Sequence, residues 1–165
     1  LRYFNACGAS PTYGEAHTPE SHLIPNILFA ASGKRDHIKV FGNDYDTPDG
    51  TCVRDYIHVE DLATAHLNAL SYLRNGGESV TLNCGYGHGY SVREVLRAVE
   101  SASGQSLNLV EAPRRAGDPP ELVAIADKIR QVIDWTPQFD NLDAIVRSSL
   151  EWERKIAAAD PTAYW

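Results

Sequence analysis

Segments that favour strands alternate with segments that favour helices along this chain, and that alternation constrains its fold more than any other feature. Short apolar runs that end at glycine or turn residues predict strands at residues 1–8, 37–42, 79–84 and 107–112. Apolar residues at helical spacing predict helices at residues 23–31, 59–73, 122–135 and 142–156. Ser91 and Glu94 form a capping box that predicts a further helix, ending near Ser103. Alternation of this kind is typical of α/β domains.

Length, composition and charge limit the class of protein. With 165 residues, 43% of them apolar and 22% charged, the chain is long enough for one domain with a hydrophobic core. The net charge of -7 argues against a general nucleic-acid surface, and no apolar run is long enough to span a membrane. We therefore expect neither a nucleic-acid partner nor a membrane partner.

Cysteine and methionine usage bear on the compartment and on the extent of the chain. The cysteines, Cys7, Cys52 and Cys84, are odd in number and lack metal-binding spacing, which favours reduced thiols in a cytoplasmic protein. The sequence contains no methionine and begins inside a predicted strand. We therefore expect the chain to be part of a longer protein.

The segment GTCVRDYIHVEDL, residues 50–62, combines a core-like apolar pattern with many ionisable side chains. A solvated face would explain the charges, and so would a site that binds a charged ligand. Arg54 is the informative residue, because a buried arginine without a partner is too costly to keep. It needs Asp55, another carboxylate or a ligand phosphate.

The segment APRRAGDPP, residues 112–120, predicts a stiff polar loop. Neighbouring side chains on an extended segment diverge, so at most one of Arg114 and Arg115 is expected to point into a single site. Arginine suits bidentate binding of phosphate, and Asp118 could accept hydrogen bonds from ribose hydroxyls. A clamp of Arg54 and Arg115 on a diphosphate and a surface loop with a local ion pair both fit the pattern.

Two further motifs favour structural interpretations. GYGHGY, residues 85–90, lacks the third glycine of a dinucleotide fingerprint, because Tyr90 stands there, so a tight turn is favoured over a phosphate site. The histidines show no metal-binding spacing, and we expect no metal site. His66 lies on an apolar helical face and is expected in the core, and His58 is expected to cap a helix.

Several segments together carry a family resemblance. LRYFNACGA, HLIP, KVFGNDYDTPDGTCVRDYIHVEDLA, NCGYGHGYSVREV and APRRAGDPP follow the order and spacing of UDP-glucose 4-epimerases, which are extended short-chain dehydrogenase/reductases. The chain resembles their C-terminal half, from residue 1 to about residue 156. The resemblance implies an α/β, incomplete Rossmann-type fold: residues 1–165 would be one substrate-binding domain, without the N-terminal NAD-binding half.

Members of this family use a Tyr-x-x-x-Lys pair and a glycine-rich NAD loop, and this sequence contains neither. The resemblance therefore implies that the catalytic base and the main NAD contacts lie outside this chain, and that the chain alone is inactive. Among the matching positions, Phe4 resembles a neighbour of the nicotinamide and Asn5 a contact to the nucleotide-sugar. His22 and Leu23 correspond to the segment beside the diphosphate.

The remaining matching positions also concern the UDP-sugar. Val40 and Phe41 resemble the strand that frames the uracil. Arg54 and Arg115 match phosphate-binding arginines, and Asp118 matches a ribose contact. Leu122 stands where the family sets the room around the C2 substituent of the sugar, which leaves tolerance of N-acetyl sugars open.

The activity implied by the resemblance is NAD-dependent interconversion of UDP-glucose and UDP-galactose in cytoplasmic galactose metabolism. Hydride leaves C4 of the sugar, the 4-keto intermediate rotates, and hydride returns to the other face. The whole protein would be a homodimer. The alternatives are a UDP-pentose or UDP-N-acetylglucosamine 4-epimerase, a non-catalytic UDP-binding module, and a fragment that folds poorly because its sheet edges are unpaired.

Overall fold

The computed structural model describes residues 1–159, and within them strands and helices alternate as the sequence predicts. The strands are β1 (Arg2–Tyr3), β2 (Asn5–Cys7), β3 (Ile38–Phe41), β4 (Val53–Arg54), β5 (Tyr56–His58), β6 (Asn83–Cys84), β7 (Tyr90–Ser91), β8 (Leu109–Ala112) and β9 (Glu121–Leu122). The helices are α1 (Leu23–Ala31), α2 (Val59–Arg74), α3 (Val92–Ser103), α4 (Asp127–Ile133) and α5 (Leu142–Ala159). The α/β class is confirmed, while the last six residues of the expected domain, 160–165, lie outside the described residues.

The strands pair in short, mostly parallel groups. β1 pairs with β6, β2 with β5, and β3 with β8, all in parallel. β4 is the central strand of a three-stranded sheet, antiparallel to β7 and parallel to β9. This pairing places Asn5 opposite Tyr56 and Arg54 opposite Leu122, so segments that are distant in sequence meet around β4 and β5.

The hydrophobic core lies between these strands and the helices. α3 packs against α5 and α1, and α2 packs against β5 and α4. The most completely buried side chains share an aliphatic or aromatic character and include Ile27, Ile57, Val95, Ile129, Ile145 and Trp135. Within residues 1–159, no helix has the length and apolar character needed to cross a membrane.

The sequence predicted the helix starts well where a local capping signal exists. Ser91 and Glu94 form the expected capping box at α3, since the Ser91 hydroxyl accepts from the Glu94 N–H at 3.1 Å and Glu94 Oε2 from the Ser91 N–H at 2.7 Å. His58 is the N-cap of α2, and its Nδ1 accepts from the Glu60 N–H at 3.1 Å. Both predictions are confirmed.

Two predictions are wrong for reasons of tertiary structure. The helix expected from residue 122 begins only at Asp127, because Glu121 and Leu122 pair with β4 as strand β9. His66, expected in the core, is exposed. Its ring contacts Tyr3 edge-on at 5.9 Å between centroids, and its Nδ1 lies 2.8 Å from the Leu62 carbonyl oxygen, so it has polar and aromatic partners without burial.

Asp55 is fully buried and fixes the turn that follows β6. Its carboxylate accepts hydrogen bonds from the backbone N–H groups of Tyr86 and Gly87 at 3.0 Å, and of Ala124 at 3.2 Å. A Cβ at Gly85 would lie 2.6 Å from Asp55 Oδ2, so only glycine leaves room for the carboxylate. One charged side chain therefore connects β4, the residue 85–89 turn and the segment after β9.

Asp61 performs a similar task at the start of α2. Its two carboxylate oxygens accept from the Gln138 N–H at 2.7 Å, the Phe139 N–H at 2.8 Å and the Tyr86 hydroxyl at 2.7 Å. Burial, together with the hydrogen bond to Asp61, raises the pKa of Tyr86 well above its ordinary value. Asp61 thus joins α2 to the loop before α5 and to the turn that Asp55 also binds.

Replacing Asp55 with asparagine is expected to destabilise the fold strongly. Asn has similar volume, but it removes the charge and turns an amide NH2 group toward backbone N–H donors. We expect the free energy of unfolding to fall by about 3 kcal/mol, the scale of lost charge-assisted hydrogen bonds plus an unsatisfied buried donor. Chemical denaturation measures the change. Asp46→Asn, at an exposed aspartate, is the control and is expected to have little effect; equal losses in the two variants would refute the role of Asp55.

His58 is expected to make stability depend on pH. Burial lowers the pKa of His58, outweighing the nearby charges of Asp61 and Glu60. The neutral ring caps α2, and its Nε2 lies 3.1 Å from the Ser148 hydroxyl oxygen. A lowered folded-state pKa means that this stabilisation is present above about pH 6.5, the unfolded value, and is lost as pH falls through the folded value.

The measurement compares denaturation of the wild type and of His58→Asn at neutral and mildly acidic pH. Asparagine can cap the helix but does not titrate. We expect the stability loss on acidification to be smaller in the variant. The same loss in both proteins would show that other groups control the pH dependence.

Candidate functional site

An open cleft of about 570 Å³ lies where β1, β2, β6 and β9 meet. Its lining residues come from three segments of the chain and are Arg2, Tyr3, Phe4, Asn5, Asn83 and Leu122. Three of the predicted site residues, Phe4, Asn5 and Leu122, are therefore brought together. The Asn5 side-chain amide donates to the Asp55 carbonyl oxygen at 3.1 Å, which orients this side chain at the cleft wall.

Three lining residues, Arg2, Tyr3 and Asn83, were not predicted from the sequence. They enter the cleft because β1 runs parallel to β6 with Arg2 opposite Asn83. Such long-range register has no local sequence signal. Asn83 could have been suspected only from its place at the end of a predicted strand, directly before the glycine-rich turn.

Arg54 projects from the central strand β4 and is only 12% exposed. Its guanidinium donates to the Asp118 carboxylate, to the Pro119 carbonyl oxygen at 2.8 Å and to the Val53 carbonyl oxygen at 2.7 Å. The sequence required a carboxylate or a phosphate as its partner, and the structure supplies Asp118. These contacts fix the plane of the guanidinium before any ligand arrives.

Arg114 and Arg115 diverge on the residue 113–120 loop. The Arg115 guanidinium lies over the Phe41 ring, 4.0 Å from its centroid. The Arg114 guanidinium lies 4.3 Å from the centroid of the Tyr45 ring, and its Nε donates to Asp44 at 2.7 Å. The hydrogen bond from Arg114 holds the pKa of Asp44 below its ordinary value. Each arginine therefore stacks on a different ring.

The loop that carries Arg115 also carries Asp118, whose N–H donates to the Arg115 carbonyl oxygen at 3.3 Å. The predicted residues Phe41, Arg115, Asp118 and Arg54 thus form a connected series of contacts. Val40 differs, because its side chain is buried in the hydrophobic core.

His22 and Leu23 lie at the start of α1, where His22 is the N-cap residue. His22 contacts Glu20, which accepts from its backbone N–H at 2.6 Å, the ring of His17, and Glu15, whose carboxylate lies 3.9 Å from Nδ1. The Asn26 side chain donates to the His22 carbonyl oxygen at 2.8 Å. None of these partners lines the cleft or belongs to the Arg54 series, so the structure does not join this pair to the other predicted residues.

The glycine-rich turn at residues 85–89 does not fit the pyrophosphate of a dinucleotide. Its N–H groups at Tyr86 and Gly87 already donate to the buried Asp55 carboxylate. The negative charge that a cofactor phosphate would bring to such a turn is supplied by the protein itself. The structural interpretation of GYGHGY is confirmed by these contacts.

Comparison with known proteins adds independent information. The NAD dependent epimerase/dehydratase family model matches residues 1–85. The UDP-glucose 4-epimerase of Azospirillum brasilense is 55% identical over 94% of this chain and 45% of its own length. A crystal structure of a UDP-glucose 4-epimerase superposes with a TM-score of 0.92 at 47% identity, covering 99% of this chain and 49% of that one.

A further crystal structure, the UDP-glucose 4-epimerase of Bifidobacterium longum in complex with NAD+ and UDP, has a TM-score of 0.87 at 38% identity. It covers 99% of this chain and 48% of that one. The chain spans about half the length of the relatives that it matches. The fold expected from the sequence, part of a Rossmann-type short-chain dehydrogenase domain, is consistent with all of these matches.

The ion pair of Arg54 and Asp118 is expected to be energetically coupled. A double-mutant cycle with Arg54→Gln and Asp118→Asn should give a coupling of about 1 kcal/mol, because both side chains are partly shielded from water. The exposed pair of Arg114 and Asp44 is the matched control and is expected to give a weaker coupling that salt screens more fully. Denaturant unfolding of the single and double variants measures both. A coupling of zero between Arg54 and Asp118 at low salt would contradict their pairing.

Proposed function

Because the chain belongs to the NAD dependent epimerase/dehydratase family, we propose that it is the UDP-sugar-binding half of a UDP-glucose 4-epimerase. The observation that carries the proposal is its likeness, along almost its whole length, to one half of enzymes that bear this name. The proposed substrates are UDP-glucose and UDP-galactose. Other UDP-sugar 4-epimerases and a non-catalytic UDP-binding module are less favoured, because the compared relatives are named UDP-glucose 4-epimerases.

In this proposal the series Phe41, Arg115, Asp118 and Arg54 binds the UDP moiety. Arg54 supports the assignment because its guanidinium is fixed by two backbone carbonyls and a carboxylate, so little side-chain entropy is lost when a phosphate arrives. Arginine presents its donors in a planar fork that matches phosphate oxygens. Asp118 would then share its carboxylate between Arg54 and the ribose hydroxyls.

The cleft lined by Phe4, Asn5 and Leu122 is the proposed place of the sugar. Asn5 is supported by its oriented amide, which can bind a hydroxyl through the oxygen that the Asp55 contact leaves available. Leu122 is 47% exposed at the cleft rim, where its size would limit the substituent at C2. His22, Leu23 and the backbone of Val40 remain proposed contacts of the diphosphate and the uracil.

We assign binding and orientation to this chain, and the redox step to the rest of the whole protein. NAD supplies hydride transfer in that enzyme, and its main contacts and the catalytic base are proposed to lie in the other half. Phe4 is the proposed exception at the nicotinamide side. Without that other half, this chain is predicted to be inactive. The proposed contribution of this chain is to bind the UDP moiety, away from the reacting carbon, while the 4-keto sugar rotates.

An apolar face of the chain supports the existence of a second half. Tyr3, Leu67, Leu70 and Leu73 are each more than half exposed, and all but Tyr3 lie on α2. Large side chains of this kind are usual at surfaces that another domain covers.

Three further statements about the whole protein remain proposals. They are a homodimer, a cytoplasmic location consistent with the free cysteines, and the absence of nucleic-acid and membrane partners.

A chimeric enzyme tests the proposed function. The N-terminal half of the Azospirillum brasilense UDP-glucose 4-epimerase is joined to this chain, and conversion of UDP-galactose to UDP-glucose is measured. We expect turnover that requires both halves. A chimera that is folded and binds NAD, but that does not convert either UDP-sugar, would overturn the proposal.

Within the active chimera, Arg54→Gln is expected to lower kcat/KM by about 10- to 100-fold, mainly through KM. The reason is the loss of a charge-assisted hydrogen bond to phosphate, worth roughly 1.5–3 kcal/mol. Arg97→Ala, at an exposed arginine on α3, is the control and is expected to leave kinetics unchanged. Thermal melting of each variant separates loss of binding from loss of fold. An unchanged KM in a folded Arg54→Gln chimera would remove Arg54 from the site.

A further inference from the structure

We propose a transition-metal site of the zinc type in the loop that precedes α1, formed by Glu15, His17 and His22. One ligand atom from each side chain lies within 4.8 Å of the others. This site was not predicted from the sequence, because the spacing of the three residues matches no common zinc motif. The loop brings the three residues together by folding back on itself. His22 is also a proposed contact of the diphosphate, but the ion site rests on contacts that the proposed function does not use.

The set of side chains suits zinc chemistry. Two imidazoles and one carboxylate are a ligand set known from zinc enzymes, with water at the remaining position. At metal–ligand bonds of about 2.1 Å, tetrahedral ligand atoms lie roughly 3.4 Å apart. The three side chains are exposed, so small rotamer changes can close the remaining gap. Imidazole nitrogen also favours zinc and its neighbours over magnesium or calcium.

The backbone around Glu15 is held by α5. The Trp152 indole N–H donates to the Glu15 carbonyl oxygen at 2.7 Å, and Lys155 donates to the Pro11 carbonyl oxygen at 2.9 Å. Gly14 lies against the Trp152 ring, where a Cβ would come within 2.4 Å. The carboxylate ligand is therefore presented from an anchored segment of backbone rather than from a free loop.

His22 is oriented by a second carboxylate. The Glu20 side chain is only 3% exposed, and its Oε1 lies 2.8 Å from His22 Nδ1 and 2.6 Å from the His22 backbone nitrogen. Glu15 Oε2 lies 3.9 Å from the same Nδ1. An ion bound through Nε2 would leave the hydrogen bond between Nδ1 and Glu20 in place. A carboxylate on the second ring nitrogen is usual for metal-bound histidines, because it fixes the ring and raises the basicity of the ligand.

Calorimetric titration of the full chain with zinc chloride tests the site, and cobalt absorption reports the coordination geometry. We expect one-to-one binding and the intense visible bands of tetrahedral cobalt. His17→Ala and His22→Ala should each weaken binding by at least about tenfold, and Glu20→Gln by about tenfold. His37→Ala and His66→Ala, at exposed histidines elsewhere, are matched controls.

Unchanged zinc affinity in both control variants, with loss in the His17 and His22 variants, would establish the site. Two results would overturn it. One is the absence of zinc binding by the folded chain. The other is equal loss of affinity in the control variants, which would mean that zinc binds surface histidines without selection. Because UDP takes no part in the titration, neither result bears on the proposed function.

Discussion

The buried carboxylate of Asp55 is the interaction on which the rest of the structure depends. It accepts backbone N–H groups from the residue 85–89 turn and from Ala124, and so ties β4 to both. Those segments flank the strands that carry Arg54 and Leu122. Asp61, in the first turn of α2, likewise accepts hydrogen bonds from backbone N–H groups of a distant loop. A backbone N–H group that donates to a buried carboxylate has a hydrogen-bond partner, so its burial costs little free energy. This arrangement is therefore stable.

The ionisable side chains of residues 50–62 therefore point in two directions. Asp55, His58 and Asp61 point inward and hold loops and a helix end together. Arg54 points toward the residue 113–120 loop and meets Asp118. The inward side chains build a rigid frame, and this frame positions Arg54. A phosphate-binding arginine on such a frame needs no rearrangement when the ligand arrives, which agrees with a chain whose proposed role is to bind and orient.

Features that depend on residues close in sequence could be predicted, and features that depend on contacts between distant segments could not. The α/β class, the capping box at Ser91 and the His58 cap rest on residues close in sequence, and all were predicted. The local spacing predicts helix where strand β9 lies, and the pairing of β9 with β4 outweighs that local preference. The partner of Arg54 stayed open between carboxylate and phosphate, since no local signal selects Asp118. The cluster of Glu15, His17 and His22 depends on the conformation of the loop before α1, which has no local sequence signal.

The proposal that this chain carries the UDP site, and not the NAD site, is tested most directly by titrating the isolated chain with UDP and with NAD while recording backbone amide NMR spectra. Binding of UDP is expected, with the largest shifts at Phe41, Arg54 and Arg115 and at the loop between them. NAD is expected to shift few signals, because the only glycine-rich turn in residues 1–159 is filled by Asp55. A well-dispersed spectrum that NAD perturbs and UDP leaves unchanged would contradict the proposal.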